Sequence, residues 1–120
     1  MAEERRLGRI EVSPVAIAGL AAAAVLECYG VVGMAAPTLY SGLAEILHRE
    51  NYRRGVQVKV VEQRIIIDLY VVLEYGVRIS EVAHNIMENV KFRVEKALGV
   101  PIGEVNVHVQ GLRISSNSDE

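Results

Sequence analysis

The sequence predicts an α+β fold: two layers, with a small mixed sheet of about four strands carrying two main helices on one face. Three observations predict it. The stretch from Gly55 to Gly76 holds two β-branched runs that meet at a polar break, Glu62-Gln63-Arg64, which reads as a hairpin. Two apolar segments, one rich in alanine and one with an apolar stripe at helical spacing, flank that hairpin in sequence. Finally, the chain echoes itself. Ile10-Glu-Val-Ser-Pro-Val-Ala16 opens a segment closing at Tyr29-Gly-Val31, and Val77-Arg-Ile-Ser-Glu-Val-Ala83 opens one closing at Leu98-Gly-Val100. The echo implies pseudo-repeated strand–helix–strand halves.

Each element has its own signal. Arg9-Ile10-Glu11-Val12 alternates polar and apolar residues, as a short half-buried strand does. Ser13-Pro14 follows as a helix start, with serine as N-cap and proline in the first turn, where its missing N–H costs nothing. That helix is expected to run to about Cys28 and to stop near Gly30. Val31 to Pro37 reads as a short strand or an extended link. Leu39, Leu43, Ile46 and Leu47 recur at helical spacing and predict a shorter helix to about Glu50. After the hairpin, Ser80 is a candidate N-cap with Glu81 in the first turn, where negative charge suits the helix dipole. Val82, Ile86, Val90, Val94 and Ala97 then form the stripe, and Gly99 is the expected terminator. Val105, Val107 and Val109 alternate with Asn106, His108 and Gln110 in a last strand ending near Gly111. One domain is therefore expected over residues 8–114, with flexible tails at 1–7 and 115–120.

Composition narrows the function. A length of 120 residues, 51% of them hydrophobic, suits a single domain that buries its own core. The formal net charge of −2 supplies no general attraction for nucleic acid or anionic lipid. Cys28 is the single cysteine, so no internal disulfide forms and a reducing cytoplasm is favoured. The first residues lack the apolar core of a signal peptide. The most apolar run, Val15 to Leu26, is shorter than the ~20 residues that span a bilayer, so a place at the membrane would depend on a partner.

Strand alternation defines the principal candidate surface. Ile65, Ile67, Leu69, Val71 and Leu73 share one parity and belong to the core; Ile66, Asp68, Tyr70, Val72 and Glu74 share the other. The outward face is thus expected to carry Gln57, Lys59, Asp68, Tyr70, Asn106, His108 and Gln110, with Ile66 and Val72 between them. Mixed polar and apolar surfaces of this kind mark interfaces. The alternative is a solvated face on which Lys59 and Asp68 make a cross-strand ion pair of modest worth. On the interface reading, replacing Asp68 and Tyr70 by alanine weakens association and leaves thermal stability nearly unchanged. The open edges of such a sheet also offer a route to a homo-oligomer.

A basic loop, Arg49, Arg53 and Arg54 with Tyr52 and the nearby Lys59, could hold phosphate or an acidic protein surface, or simply be solvated. Aromatic residues are few and acidic residues outnumber basic ones, which argues against a nucleic-acid face. His84 and Glu88 fall four apart on a helix, but no third ligand sits at metal-binding spacing, and His48 and His108 stand alone. No metal or cofactor is expected. No glycine-rich phosphate loop, nucleophile elbow or Cys-x-x-Cys is present, so motifs for catalysis are absent. Cys28 is expected to behave as a small buried hydrophobe.

The chain resembles the alkaline shock protein family of bacterial envelope-stress proteins, also called the Gls type of general stress protein. The matching pieces are Gly8-Arg-Ile-Glu-Val-Ser13, Tyr29-Gly-Val-Val-Gly33, Arg54-Gly-Val-Gln-Val58, Ile67-Asp-Leu-Tyr-Val-Val72, Glu74-Tyr-Gly76, Ile79-Ser-Glu-Val-Ala83, Asn85-Ile86 and Val105-Asn-Val-His-Val109 with Gly111. They span residues 8 to 114, and their order and spacing carry the match. Met87 departs from the pattern, where the family often has glutamine. The resemblance implies a small cytoplasmic protein without established enzymatic activity, linked to cell-envelope homeostasis. Some relatives are held beneath the membrane by a separate membrane-anchored partner, and some lie beside genes for dihydroxyacetone-kinase-like or fatty-acid-kinase-like proteins. The family supplies no catalytic residues to carry over.

The expected function is that of a non-enzymatic interaction or scaffold protein of the envelope-stress type. It would act by protein–protein docking or self-association, in the cytoplasm, near the membrane through a partner. The alternatives are an accessory subunit of a phosphotransfer enzyme of the kinds just named and, more weakly, an RNA-binding module.

Overall fold

The computed structural model describes residues 7–36 and 54–114. In chain order the elements are helix α1 (Pro14–Leu26), strands β1 (Val31–Met34), β2 (Val56–Val61) and β3 (Arg64–Glu74), helix α2 (Ile79–Leu98) and strand β4 (Glu104–Arg113). The fold is α+β in two layers, as the hydrophobic patterning implies.

β3 organises the sheet. Its register with β2 runs from Val56↔Leu69 to Val61↔Arg64, and its register with β1 covers Val31↔Leu73 to Met34↔Val71. Both are antiparallel, so β1 and β2 lie end to end along one edge of β3 as a single edge line that the chain leaves and rejoins. The carbonyl oxygen of Ala35 lies 3.0 Å from where a Cβ on Gly55 would sit, so the two ends of the excursion meet at that glycine. The opposite edge of β3 is taken by β4, parallel, from Ile66↔Glu104 to Glu74↔Arg113. The sheet is therefore mixed, and β3–α2–β4 is a parallel crossover unit.

The helices lie on one face because the side chains demand it. Ile67, Leu69, Val71 and Leu73 are fully buried and pack with Ala21, Ala24 and Val25 of α1 and with Ile86, Val90 and Val94 of α2. Alanines on α1 let its backbone approach closely, while the wider valine–isoleucine stripe of α2 fills the remaining depth. Polar ties fix the two helices together. Asn89 Nδ2 donates to the Ala24 carbonyl oxygen at 2.9 Å, and Arg93 pairs with Glu27. Below α2, Glu95 accepts the Ile102 N–H at 2.8 Å and Lys91 donates to the Ile102 carbonyl oxygen at 3.4 Å, clamping the link into β4.

The capping of α1 follows its sequence: Ser13 Oγ accepts from Ala16 N–H at 3.1 Å. Gly99 ends α2 in the left-handed region at φ 78°, its N–H bonded to the Glu95 carbonyl oxygen at 2.8 Å. Several expectations are corrected. Residues 9–12 form no strand; both edges of β3 are already filled, and Ile10 is 92% exposed beside a surface ion pair of Arg9 with Glu11. The echo between the halves therefore covers helix, glycine and following strand, and only the second half has a strand before its helix. α1 stops at Leu26 rather than Cys28. The N-cap of α2 is Arg78, not Ser80: the Val82 N–H already bonds to the Arg78 carbonyl oxygen, so Ser80 falls inside the first turn. β4 continues past Gly111 to Arg113, since the end of β3 offers it partners through Glu74. The helix expected over residues 39–50 lies outside the described residues, as do the segments 1–6 and 115–120.

Candidate functional site

Register assembles the outward face into rows across the sheet. Lys59, Ile66 and Glu104 form one row; Gln57, Asp68 and Asn106 form the next; Tyr70 and His108 form the third. No described helix covers this face. Six of the seven residues that strand parity assigns to it are thus brought together. The seventh, Gln110, sits at a bulge: Val71 pairs with Val109 and Val72 with Gly111, leaving Gln110 without a partner position on β3.

Asp68 is the centre of the face and does not stand out in water. Its side chain is 9% exposed. Oδ1 accepts from Asn106 Nδ2 at 3.1 Å and meets His108 Nε2 at 3.1 Å, while Oδ2 lies 3.5 Å from Lys59 Nζ. An ionised Asp68 sets the His108 tautomer, because a carboxylate only accepts and Nε2 must then carry the proton. Burial acts to raise the Asp68 pKa, but the hydrogen bonds from His108 and Asn106 and the charges of Lys59 and His108 outweigh it and hold the carboxyl below its ordinary value. Tyr70 stacks on His108 with ring centroids 4.5 Å apart and planes 11° from parallel, and its hydroxyl donates to Gln57 Oε1 at 3.4 Å. Val72, on the same parity, is fully buried instead of lying open among polar neighbours. Its register partners Gly33 and Gly111 bring no side chains to that row.

Sequence reasoning missed Glu104, which shares the parity of Asn106 and accepts from its Nδ2 at 3.4 Å. Its place at the first residue of β4 hid it, since alternation is only evident from Val105 onward. The other candidates lie elsewhere. Arg54 opens β2 on the helix side and lines a shallow groove of about 330 Å³ with Pro14, Val15, Ala18, Val56 and Val58, away from the sheet face. Arg49 and Arg53 fall outside the described residues, as does His48. His84 and Glu88 meet at 3.0 Å on an exposed helix face. Among the described residues no group of three or more His, Cys, Asp or Glu side chains is placed to hold a metal ion. Cys28 is half-buried rather than sealed in the core. Its thiol contacts the Ala24 carbonyl oxygen at 3.5 Å, and burial, with Glu27 adding to it, raises its pKa against the opposing bond from Asn89.

A single family model, described as ASP23 family with cell envelope-related function, matches residues 2–114. The chain belongs to that family. Its relatives include the uncharacterized protein YloU of Bacillus subtilis, 44% identical over 112 residues that make up 92% of this chain and 93% of the relative. A second, the uncharacterized protein Spy1614 of Streptococcus pyogenes, is 43% identical over 108 residues, 89% of each chain. The uncharacterized protein YqhY of Bacillus subtilis is 30% identical over 118 residues, 98% of this chain and 87% of the relative. No solved structure matches the chain significantly. The family match carries the cell-envelope association and indicates no enzymatic family. No helix among the described residues is long and apolar enough to cross a membrane.

Proposed function

We propose that this member of the family is a non-enzymatic docking or scaffold protein of the cell-envelope stress type, binding a protein partner through the uncovered sheet face. The observation that supports the reading is Asp68: a carboxylate tied to side chains of two flanking strands on a face that no described helix covers. Holding Lys59, Asn106 and His108 in place before contact lowers the ordering cost of binding, which is where much affinity is lost. The stacked Tyr70–His108 pair adds a rigid aromatic anchor beside polar groups, the composition that interface centres favour. In this reading the protein works in the cytoplasm and reaches the envelope through a membrane-anchored partner.

Burial of Asp68 alters the test that exposure alone would suggest. Replacing Asp68 perturbs folding as well as contact, so the variants should be Lys59→Ala and Tyr70→Ala, with Lys96→Ala on the far side of α2 as control. Purified chain would be cross-linked in native extract and the captured proteins compared. The reading expects one captured species to disappear with Lys59→Ala and Tyr70→Ala but persist with Lys96→Ala. Equal capture by all three folded variants would remove the sheet face as the docking surface.

A further inference from the structure

We propose that the outer edge of β4 is a self-association surface, where a second copy of this chain adds its own β4 antiparallel across a twofold axis. The inference uses the sheet edge and does not rest on the docking face.

Among the described strands β4 pairs with β3 alone. The Gly103 N–H bonds to the Ile65 carbonyl oxygen at 2.8 Å, toward β3. Backbone groups alternate sides along an extended strand, so those of Val105, Val107 and Val109 also face β3, and those of Glu104, Asn106 and His108 face outward. The run Val105–Val109 contains no lysine and no proline, the residues that commonly protect an edge. The bulge at Gln110 ends the flat stretch. Beside it, an open groove of about 340 Å³ is walled by His84, Met87, Glu88 and Lys91 of α2 and leaves space for a further backbone below the helix flank.

Charge selects a second copy as the occupant. A twofold axis requires the same patch to complement itself. With Asn106 opposite its own symmetry mate, Glu104 falls opposite the copy's His108, and each such position exchanges backbone hydrogen bonds. Along α2, antiparallel across the same axis, Glu88 faces the copy's Lys91 and His84 faces the copy's Glu95. Within the chain these groups already pair, His84 with Glu88 at 3.0 Å and Lys91 with Glu95 at 3.6 Å. Association joins the two helical pairs into one alternating network, with no like charges opposed. An extended peptide of another protein would match the backbone edge but not this order of charges.

The test is sedimentation velocity over a wide concentration range, with amide hydrogen exchange read at its two ends. The weight-average mass is expected to rise from the 13.2 kDa of one chain toward twice that value. The Glu104, Asn106 and His108 amides are expected to slow as concentration rises. Glu88→Lys should weaken association about tenfold by opposing the copy's Lys91, and Glu88→Lys with Lys91→Glu should recover most of it. Circular dichroism confirms that each variant is folded, and the exchange readout needs no variant. A chain that stays single at every concentration overturns the proposal, whatever peptide it then binds. So does a dimer in which those amides exchange at the same rate at both ends of the range.

Discussion

Tyr70 and His108 stand directly opposite each other on parallel strands, and their rings stack 4.5 Å apart at 11°. The same His108 reaches diagonally to Asp68 at 3.1 Å, so one imidazole joins an aromatic contact to a buried charge. Neither contact is available to β3 alone. The outward face is therefore organised by the docking of β4, and its order should track the integrity of the crossover unit.

The stack and the hydroxyl contact of Tyr70 separate cleanly. Tyr70→Phe keeps the ring and loses only a long hydrogen bond at an exposed site, so the change in stability should stay within about 0.5 kcal/mol. Tyr70→Ala removes the stack and should cost about 1 kcal/mol or more. Urea unfolding of the two variants measures both. Equal costs would mean that the ring contributes nothing beyond its hydroxyl.

Asp68 makes stability depend on acid. Its folded pKa lies below the ordinary value, so its contribution is complete above the unfolded pKa and is lost as pH falls through the lower folded pKa. At neutral pH, Asp68→Asn should destabilise by about 1–3 kcal/mol through loss of the Lys59 pairing and of charge-assisted bonds. The gap between wild type and variant should then shrink from about pH 4 downward as the native carboxylate is protonated. Denaturant melts across the acid range check this. A gap that stays constant would assign the effect to packing.

These features differ in how far the sequence discloses them. Strand parity depends only on the alternation of the backbone, which is local, so Asp68, Tyr70, Asn106 and His108 could be placed on one face from residue order. The pairing of strands is not local. Nothing in Arg9–Val12 shows that the edges of β3 are filled by β1, β2 and β4, and so a strand-like pattern there yields an exposed segment. The end-to-end placing of β1 and β2 was equally hidden, because it depends on Ala35 and Gly55 meeting across the excursion between them. Asp68 reads as a surface residue for the same reason: its burial comes from three side chains on two other strands.

Gly30 and Gly99 follow the two helices in similar left-handed conformations, φ 88° and 78°, in different surroundings. A Cβ on Gly99 would meet nothing within 4 Å, whereas one on Gly30 would lie 3.2 Å from a Val82 methyl. Gly99→Ala should therefore show the backbone penalty alone, about 1–2 kcal/mol. Gly30→Ala should cost more, since Val82 is held in the core beneath α1 and cannot easily yield. Thermal melts of the pair give the difference directly. Equal losses would show that Val82 moves aside without cost.

The β2–β3 turn stores strain that can be relieved. Glu62 and Gln63 occupy it with φ 52° and 69°, both in the left-handed region that side chains disfavour. Positive φ at both central residues of a two-residue hairpin marks a type I′ turn, for which Asn-Gly is the preferred pair. Glu62→Asn with Gln63→Gly should stabilise the chain by about 0.5–1 kcal/mol, because the turn conformation is retained and only its steric cost falls. The turn lies beyond the Asp68 cluster, so the substitution should leave its register intact: Val61 still opposes Arg64, and Gln57 still opposes Asp68. A raised unfolding midpoint with an unchanged denaturant slope is the expected result. A lowered midpoint would mean that Glu62 or Gln63 makes a contact worth more than the strain it carries.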